Sequence, residues 1–288
     1  MSSTSRFWSW FWLYALGWLL IYICIVPQAA RAAELVVGGV LYNDYGYAPV
    51  ADSKTIKLAV ATGTVSVFST TTVANTGAWQ ITIPDGHTIA TGTRFLAFVD
   101  GDSIKATTFT KASSTANISN FDLYSRNLVI SHEGTSGTST TIADLSFYDY
   151  DDDTDVLYTA NSNTLLVREG LDIYVKTGKH FAPGGNVTAS SSLMVAEGAT
   201  MTAPSGTLTL TGSFRQWGSF DNNGGTLNMV GADDVTGIFN LLAGVDNSGS
   251  DDGTDANGGI LVQLLSSDSQ YLYVGKAGDS TACSQTAG

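Results

Sequence analysis

The segment Gly206-Thr207-Leu208-Thr209-Leu210-Thr211-Gly212 returns further along the chain as Gly225-Thr226-Leu227-Asn228-Met229-Val230-Gly231, a 19-residue period. This frame, Gly-Thr-Leu-x-apolar-x-Gly, lies within a stretch from Asn163 to Leu242 and restricts the fold more than any other feature of the chain. Within each copy the alternation places Leu208 and Leu210, then Leu227 and Met229, on one face of a strand, with Thr209 and Asn228 on the other. A unit this small cannot bury its apolar face alone. Stacking successive units creates a continuous core, and a spacing of about 20 residues suits one coil of a β-solenoid. Upstream, Leu165 and Val167, Ile173 and Val175, and Leu193 and Val195 alternate in the same way without keeping the 19-residue spacing, so the coil count and handedness stay open.

Only 14% of the 288 residues are charged, and 31 Gly stand against 5 Pro, a balance that suits all-β extracellular modules better than helical enzymes. The length fits two ordinary domains. Residues 1–33 contain Arg6 and Arg31 and no acid, leaving 11 basic against 26 acidic residues in the remainder. Such an excess of negative charge repels phosphate backbones and anionic lipid headgroups, which disfavours nucleic-acid and lipid-surface binding. Divalent cations, basic partners, and glycans or other cell-surface polymers are compatible with it.

Phe7 to Val26 form 20 consecutive uncharged positions, preceded by Arg6 and followed by Ala30-Arg31-Ala32, which offers small residues at −3 and −1 for a signal peptidase. The pattern predicts a signal peptide over residues 1–32, a mature chain from Ala33, and a secreted or cell-surface location. An uncleaved anchor is the alternative, since about 20 apolar residues can span a bilayer and Trp8, Trp10, Trp12 and Trp18 suit its interface. Membrane contact would then be confined to this segment. Cleavage would remove Cys24 and leave Cys283 without an intramolecular partner.

From Glu34, short alternating apolar runs recur at Leu35–Leu41, Ile56–Val60, Val65–Phe68, Trp79–Ile83, Phe95–Val99, Ile104–Phe109 and Ile118–Leu123, as in a β-sandwich. Asp100-Gly101 is a two-residue hairpin signal. Trp79 alternates with Ile81 and Ile83, so a core plug is favoured over a sugar-stacking platform. Gly39-Val40, Gly77-Ala78-Trp79 and Gly92-Thr93-Arg94-Phe95 carry a resemblance to the carboxypeptidase-regulatory-like and related Ig-like modules of bacterial secreted proteins. The resemblance implies a spacer or stalk over residues 33–124 and no catalytic residue.

Further strands are expected at Leu128–Ser131, Ile142–Tyr150 and Val156–Tyr158. The Gly-Thr-apolar copies, continued by Gly237-Ile238-Phe239-Asn240-Leu241, resemble the β-solenoid repeats of large bacterial surface proteins. This assigns 125–270 to a solenoid and leaves 271–288 as a small, polar tail.

Asp149, Asp151, Asp153 and Asp155 alternate in one acidic run, offering oxygen ligands of the kind Ca²⁺ prefers. Thr154 stands where an EF-hand needs Gly, and Ala160 where it needs Glu, so the choice lies between a different calcium site and a solvated acidic loop. A second acidic stretch, Asp246 to Gly259 with Asp251, Asp252, Asp255 and Asn257, reads as an exposed loop. His87, His132 and His180 lack any Ser, Cys or His-Glu-x-x-His context, which gives zinc and nucleophilic triads no support. A pectate-lyase-like enzyme would need a basic residue beside the sugar carboxylate, for which Arg168, Lys176, Lys179 and Arg215 are candidates. Together these features predict an all-β chain with an Ig-like β-sandwich followed by a β-solenoid, acting as a non-catalytic structural or adhesive surface protein. The alternative is a polysaccharide-active lyase or glycoside hydrolase built on the same solenoid.

Overall fold

The computed structural model describes residues 34–134, 138–161, 163–221 and 223–230, together with the backbone of two later strands, Phe239–Leu241 and Leu261–Leu265. The expected signal peptide, Cys24, Cys283, the acidic stretch from Asp246 to Gly259 and the tail 271–288 lie outside the described residues. The elements below belong to one unit, Leu35–Ile83 together with the chain from His87 onward.

The first strands are β1 (Leu35–Tyr42), β2 (Thr55–Thr62), β3 (Thr64–Thr71), β4 (Ala78–Ile83), β5 (Arg94–Asp100), β6 (Thr107–Lys111), β7 (Leu123–Tyr124) and β8 (Asn127–Ile130). They form two layers. In one, β1 lies between antiparallel β4 and parallel β7; in the other, β3, β2, β5 and β6 follow one another antiparallel. Leu35, Val37 and Leu41 of β1 meet Ile56, Leu58, Val60, Phe95, Ala97 and Val99 between the layers. Trp79 is buried in this core beside Phe121, with ring centroids 6.0 Å apart, as its alternation with Ile81 and Ile83 implied. The tight hairpin is β2–β3, turning through Gly63, whereas the chain after Asp100-Gly101 needs a longer loop to reach β6. Asp102 holds that loop by accepting from the Ile104 N–H at 2.9 Å and from Lys54 Nζ at 2.8 Å.

β2 and β5 are buried on both faces. Their other face, Ala59, Leu96 and Phe98, joins Phe109, Leu128 and Ile130 in a second core that fills the solenoid. The reason is topological: β6 pairs antiparallel with β5 on one side and parallel with β8 on the other, so a single nine-stranded sheet runs from β3 into the coils. Parallel stacking thus begins at Thr107, and the β-solenoid occupies residues 107–228 in about six turns.

After β8 comes one turn of helix, α1 (Ile142–Leu145), started by a capping box in which the Asp144 N–H donates to Thr141 Oγ1 and the Thr141 N–H to Asp144 Oδ2. Next, β9 (Tyr158–Ala160) pairs antiparallel with β10 (Thr164–Val167) and closes one end of its sheet. Three-strand coils follow: β10 with β11 (Asp172–Val175) and β12 (His180–Phe181); β13 (Asn186–Ala189), β14 (Leu193–Val195) and β15 (Thr200–Thr202); β16 (Thr207–Leu210), β17 (Phe214–Gln216) and β18 (Ser219–Asp221). Then β19 (Thr226–Val230), β20 (Phe239–Leu241) and β21 (Leu261–Leu265) extend two of the three ladders.

Leu208 pairs with Leu227 and Leu210 with Met229, the register the repeated frame requires. The same column continues upward from Leu208 to Val187 and from Val187 to Leu165, each step slightly longer along the chain than the one from Leu208 to Leu227. The irregular upstream spacing therefore reflects corner length, which varies, while the strands stay in register. Leu165, Val187, Leu208 and Leu227 are buried in one column, Ile173, Leu193 and Phe214 in the second, and Phe181, Met201 and Phe220 in the third.

The leading glycine of the repeat has a packing cause. In register, Asn163, Gly185, Gly206 and Gly225 occupy one corner of successive coils. A Cβ on Gly185 would fall inside contact distance of the Asn163 backbone, and one on Gly225 would strike the Pro204 carbonyl. Because those neighbours are backbone, relief requires the coils to part. Gly185→Ala is expected to cost about 1–3 kcal/mol, as overpacking does, measured by urea unfolding.

Candidate functional site

Alternation along β11, β14 and β17 turns Ile173, Leu193 and Phe214 inward, which leaves Tyr174, Met194 and Arg215 in register on the outer face. Thr177, Ala196, Glu197 and Trp217 follow these strands at the coil corners, and the loop after β1 brings Tyr45 and Tyr47 across them. Together these nine residues line an open groove of about 600 Å³. Trp217 is 42% exposed and Tyr47 87%, so two aromatic side chains present surface to solvent here.

The floor of the groove is held by a chain of rings. Tyr42–Tyr124, Tyr124–Tyr174 and Tyr45–Tyr174 each have centroids 5.7 Å apart, and the Tyr45 hydroxyl donates to Asp172 Oδ2 at 3.2 Å. Asp172 Oδ1 in turn accepts the Ser192 N–H at 2.9 Å. Burial, reinforced by the Asp172 charge, raises the Tyr45 phenol well above its ordinary value; burial also raises Tyr124 and Tyr174. These phenols stay protonated at neutral pH and can serve only as neutral hydrogen-bonding and stacking groups.

No protein family, curated protein or solved structure matches the chain. The chemistry of its surface therefore rests on the side chains themselves.

Of the four basic candidates read from the sequence, only Arg215 lines the groove. The Arg168 guanidinium lies 3.8 Å from the Tyr150 ring centroid, Lys176 Nζ donates to the Asn120 carbonyl at 2.7 Å, and Lys179 Nζ donates to the His132 carbonyl. The histidines also serve the fold. His132 is buried with Nε2 accepting from the His180 N–H at 3.1 Å and Nδ1 placed 3.0 Å from the Gly134 carbonyl, a pattern that requires the neutral ring; burial and then Lys179 lower its pKa accordingly. His180 Nε2 lies 3.0 Å from Thr202 Oγ1, and His87 packs edge-on against Phe68.

The acidic run is split between two tasks. Asp149 is buried, with Oδ2 accepting the Ala160 N–H at 2.8 Å and Oδ1 the Asp151 N–H at 2.9 Å, so it shapes its own turn. Asp153 and Asp155 instead converge with Asp100, which the alternation could not foresee because Asp100 lies on β5; Asp149 and Asp151 stay outside that cluster. Lys57 reaches Asp100 at 2.7 Å and Asp153 at 3.0 Å, while Lys105 pairs with Asp155, whose other oxygen accepts the Gly101 N–H at 2.6 Å. Two ammonium groups thus bind the acidic loop to β2 and to the β5–β6 connection.

These ion pairs make a pH prediction. Burial alone would raise the Asp155 carboxyl, but the Lys105 and Gly101 hydrogen bonds outweigh it and hold the pKa below the ordinary value. A depressed acid contributes stability in full above its unfolded value near 3.9 and loses it as pH falls through the lower folded value. Asp155→Asn is expected to cost about 1 kcal/mol at pH 7, given partial exposure, and the difference from wild type should close below about pH 4 in urea unfolding.

Sequence reasoning missed most of the groove. Tyr174, Met194 and Arg215 are consecutive only across strands, and their shared face becomes visible once each step between them is recognised as one coil. The one local signal was Trp217, an aromatic residue just past an alternating run.

Proposed function

We propose that the protein is a secreted or cell-surface, non-catalytic structural and adhesive protein whose solenoid presents a glycan-binding face. The observation that carries this reading is the groove over β11, β14 and β17, where Tyr47 and Trp217 leave aromatic surface open to solvent among hydrogen-bonding side chains. The uncharged run from Phe7 to Val26, preceded by Arg6, and Ala30-Arg31-Ala32 support export. For the Ig-like module, the support is the pair of facing layers formed by β1–β7; because one of them shares a sheet with the coils, they serve as a cap on the solenoid more readily than as a swinging stalk.

Arg215 and Glu197 in one groove give the enzyme alternative its foothold. The test is to incubate the full chain with a panel of neutral and acidic polysaccharides. Binding without new reducing ends or unsaturated products supports adhesion, and turnover of any polymer overturns it.

For calcium at Asp149, Asp151, Asp153 and Asp155, an ion would have to displace Lys57 from Asp153 and Lys105 from Asp155. We favour the lysines as the compensating charges. The expected result is one Tm in EDTA and in saturating Ca²⁺; a rise with Ca²⁺ would restore the metal, because a ligand of the folded state alone must stabilise it.

A further inference from the structure

We infer that the groove binds an extended, uncharged glycan, lying along the solenoid axis with sugar rings stacked on Trp217 and Tyr47; this deepens the adhesive reading above and rests on it. A pyranose offers a face of C–H groups and a rim of hydroxyls. The groove offers the complement: two exposed aromatic faces, a five-donor guanidinium at Arg215, the Glu197 carboxylate as acceptor, and the Thr177 hydroxyl as both.

Charge selects against the polyuronates that a lyase-like solenoid would suggest. Among the described lining residues Arg215 is the one cation, against Glu197 in the same lining and Asp172 one hydrogen bond away from Tyr45. The chain as a whole carries a net charge of −13. A polymer with a carboxylate on every sugar would meet this field along its length, whereas a neutral chain is indifferent to it.

Spacing selects an extended chain. Neighbouring strands of the ladder are about 4.8 Å apart, so three successive coils span about 10 Å along the solenoid axis. Tyr174, Met194 and Arg215 mark three successive coils under the groove, and the about 600 Å³ volume accommodates a short run of sugars.

The experiment titrates the full chain with cellohexaose, xylohexaose, hexagalacturonate and a hexalysine peptide, at low and high NaCl, by calorimetry. The expected result is binding of a neutral hexaose with a Kd unchanged by salt. Trp217→Ala should weaken it about tenfold or more, as loss of a central aromatic anchor does. Tyr47→Ala, at a position too exposed to disturb folding, should weaken it about threefold. Preferential, salt-sensitive binding of hexagalacturonate would overturn the uncharged class and leave the adhesive reading standing. Binding of hexalysine alone, or neutral binding that neither variant weakens, would overturn the groove as a glycan site. Failure of every oligosaccharide to bind would overturn this inference, and failure of the polysaccharide panel as well would remove the adhesive reading beneath it.

Discussion

Leu208→Asp is expected to unfold the stacked coils, while Leu166→Asp leaves stability within about 0.5 kcal/mol. Leu208 is buried between Val187 and Leu227 in the inward column. A carboxylate there loses the leucine's burial, about 2–5 kcal/mol, and adds an unpaired charge in an apolar interior, several kcal/mol more. The sum is on the order of the whole margin of a domain, about 5–15 kcal/mol. Leu166 lies one residue beyond Leu165, on a strand of the same sheet, but faces outward at 37% exposure. Alternation also marks Asn228 as an outward control. Its side-chain oxygen, however, is buried with no hydrogen-bond partner among the described residues, so Asn228→Asp should cost more than Leu166→Asp. Circular dichroism through a urea titration checks all three, and a folded Leu208→Asp protein would contradict the stacked core.

Phe214→Ala is expected to lower stability by about 3–5 kcal/mol, the range for deleting a buried aromatic ring. Phe214 is fully buried, stacks in register on Leu193, and meets Phe220 of the third face edge-on at 4.9 Å between centroids. That contact crosses the interior of one coil, so its loss leaves a cavity that no exposed side chain can fill. Phe214→Leu should recover more than half of the loss. Equal destabilisation by Leu and Ala would show that the edge-on geometry matters more than the filled volume, and would contradict a cavity as the source of the cost.

The stacking of Leu208 on Leu227 was legible because one copy of the repeat follows the other with identical corner chemistry, Gly-Thr-Leu at each start. Asn163-Thr164-Leu165 and Gly185-Asn186-Val187 begin coils at the same corner; the alternation of Leu165 and Val167 was visible, but their place in the same column was not. Their starts lack the Gly-Thr-Leu frame and their coils are longer than the 19-residue step, so neither signal reaches them. The candidate site was less legible. Asp153 and Asp155 were singled out by spacing, but their partners Asp100, Lys57 and Lys105 lie roughly 50 to 100 residues away along the chain, where only strand pairing can bring them.

Local alternation and a repeated glycine frame by themselves determined an all-β chain with a β-solenoid, because a period of two and a period near 20 leave few ways to bury the same leucines. Only the tertiary structure decided that the N-terminal strands continue the solenoid's sheet, since β6 can pair with β5 and β8 at once and nothing in its own short sequence reveals the second partner. It also decided the groove. Tyr45, Tyr174, Arg215 and Trp217 each obey a local rule, and the surface they share exists only after coils of unequal length have come into register.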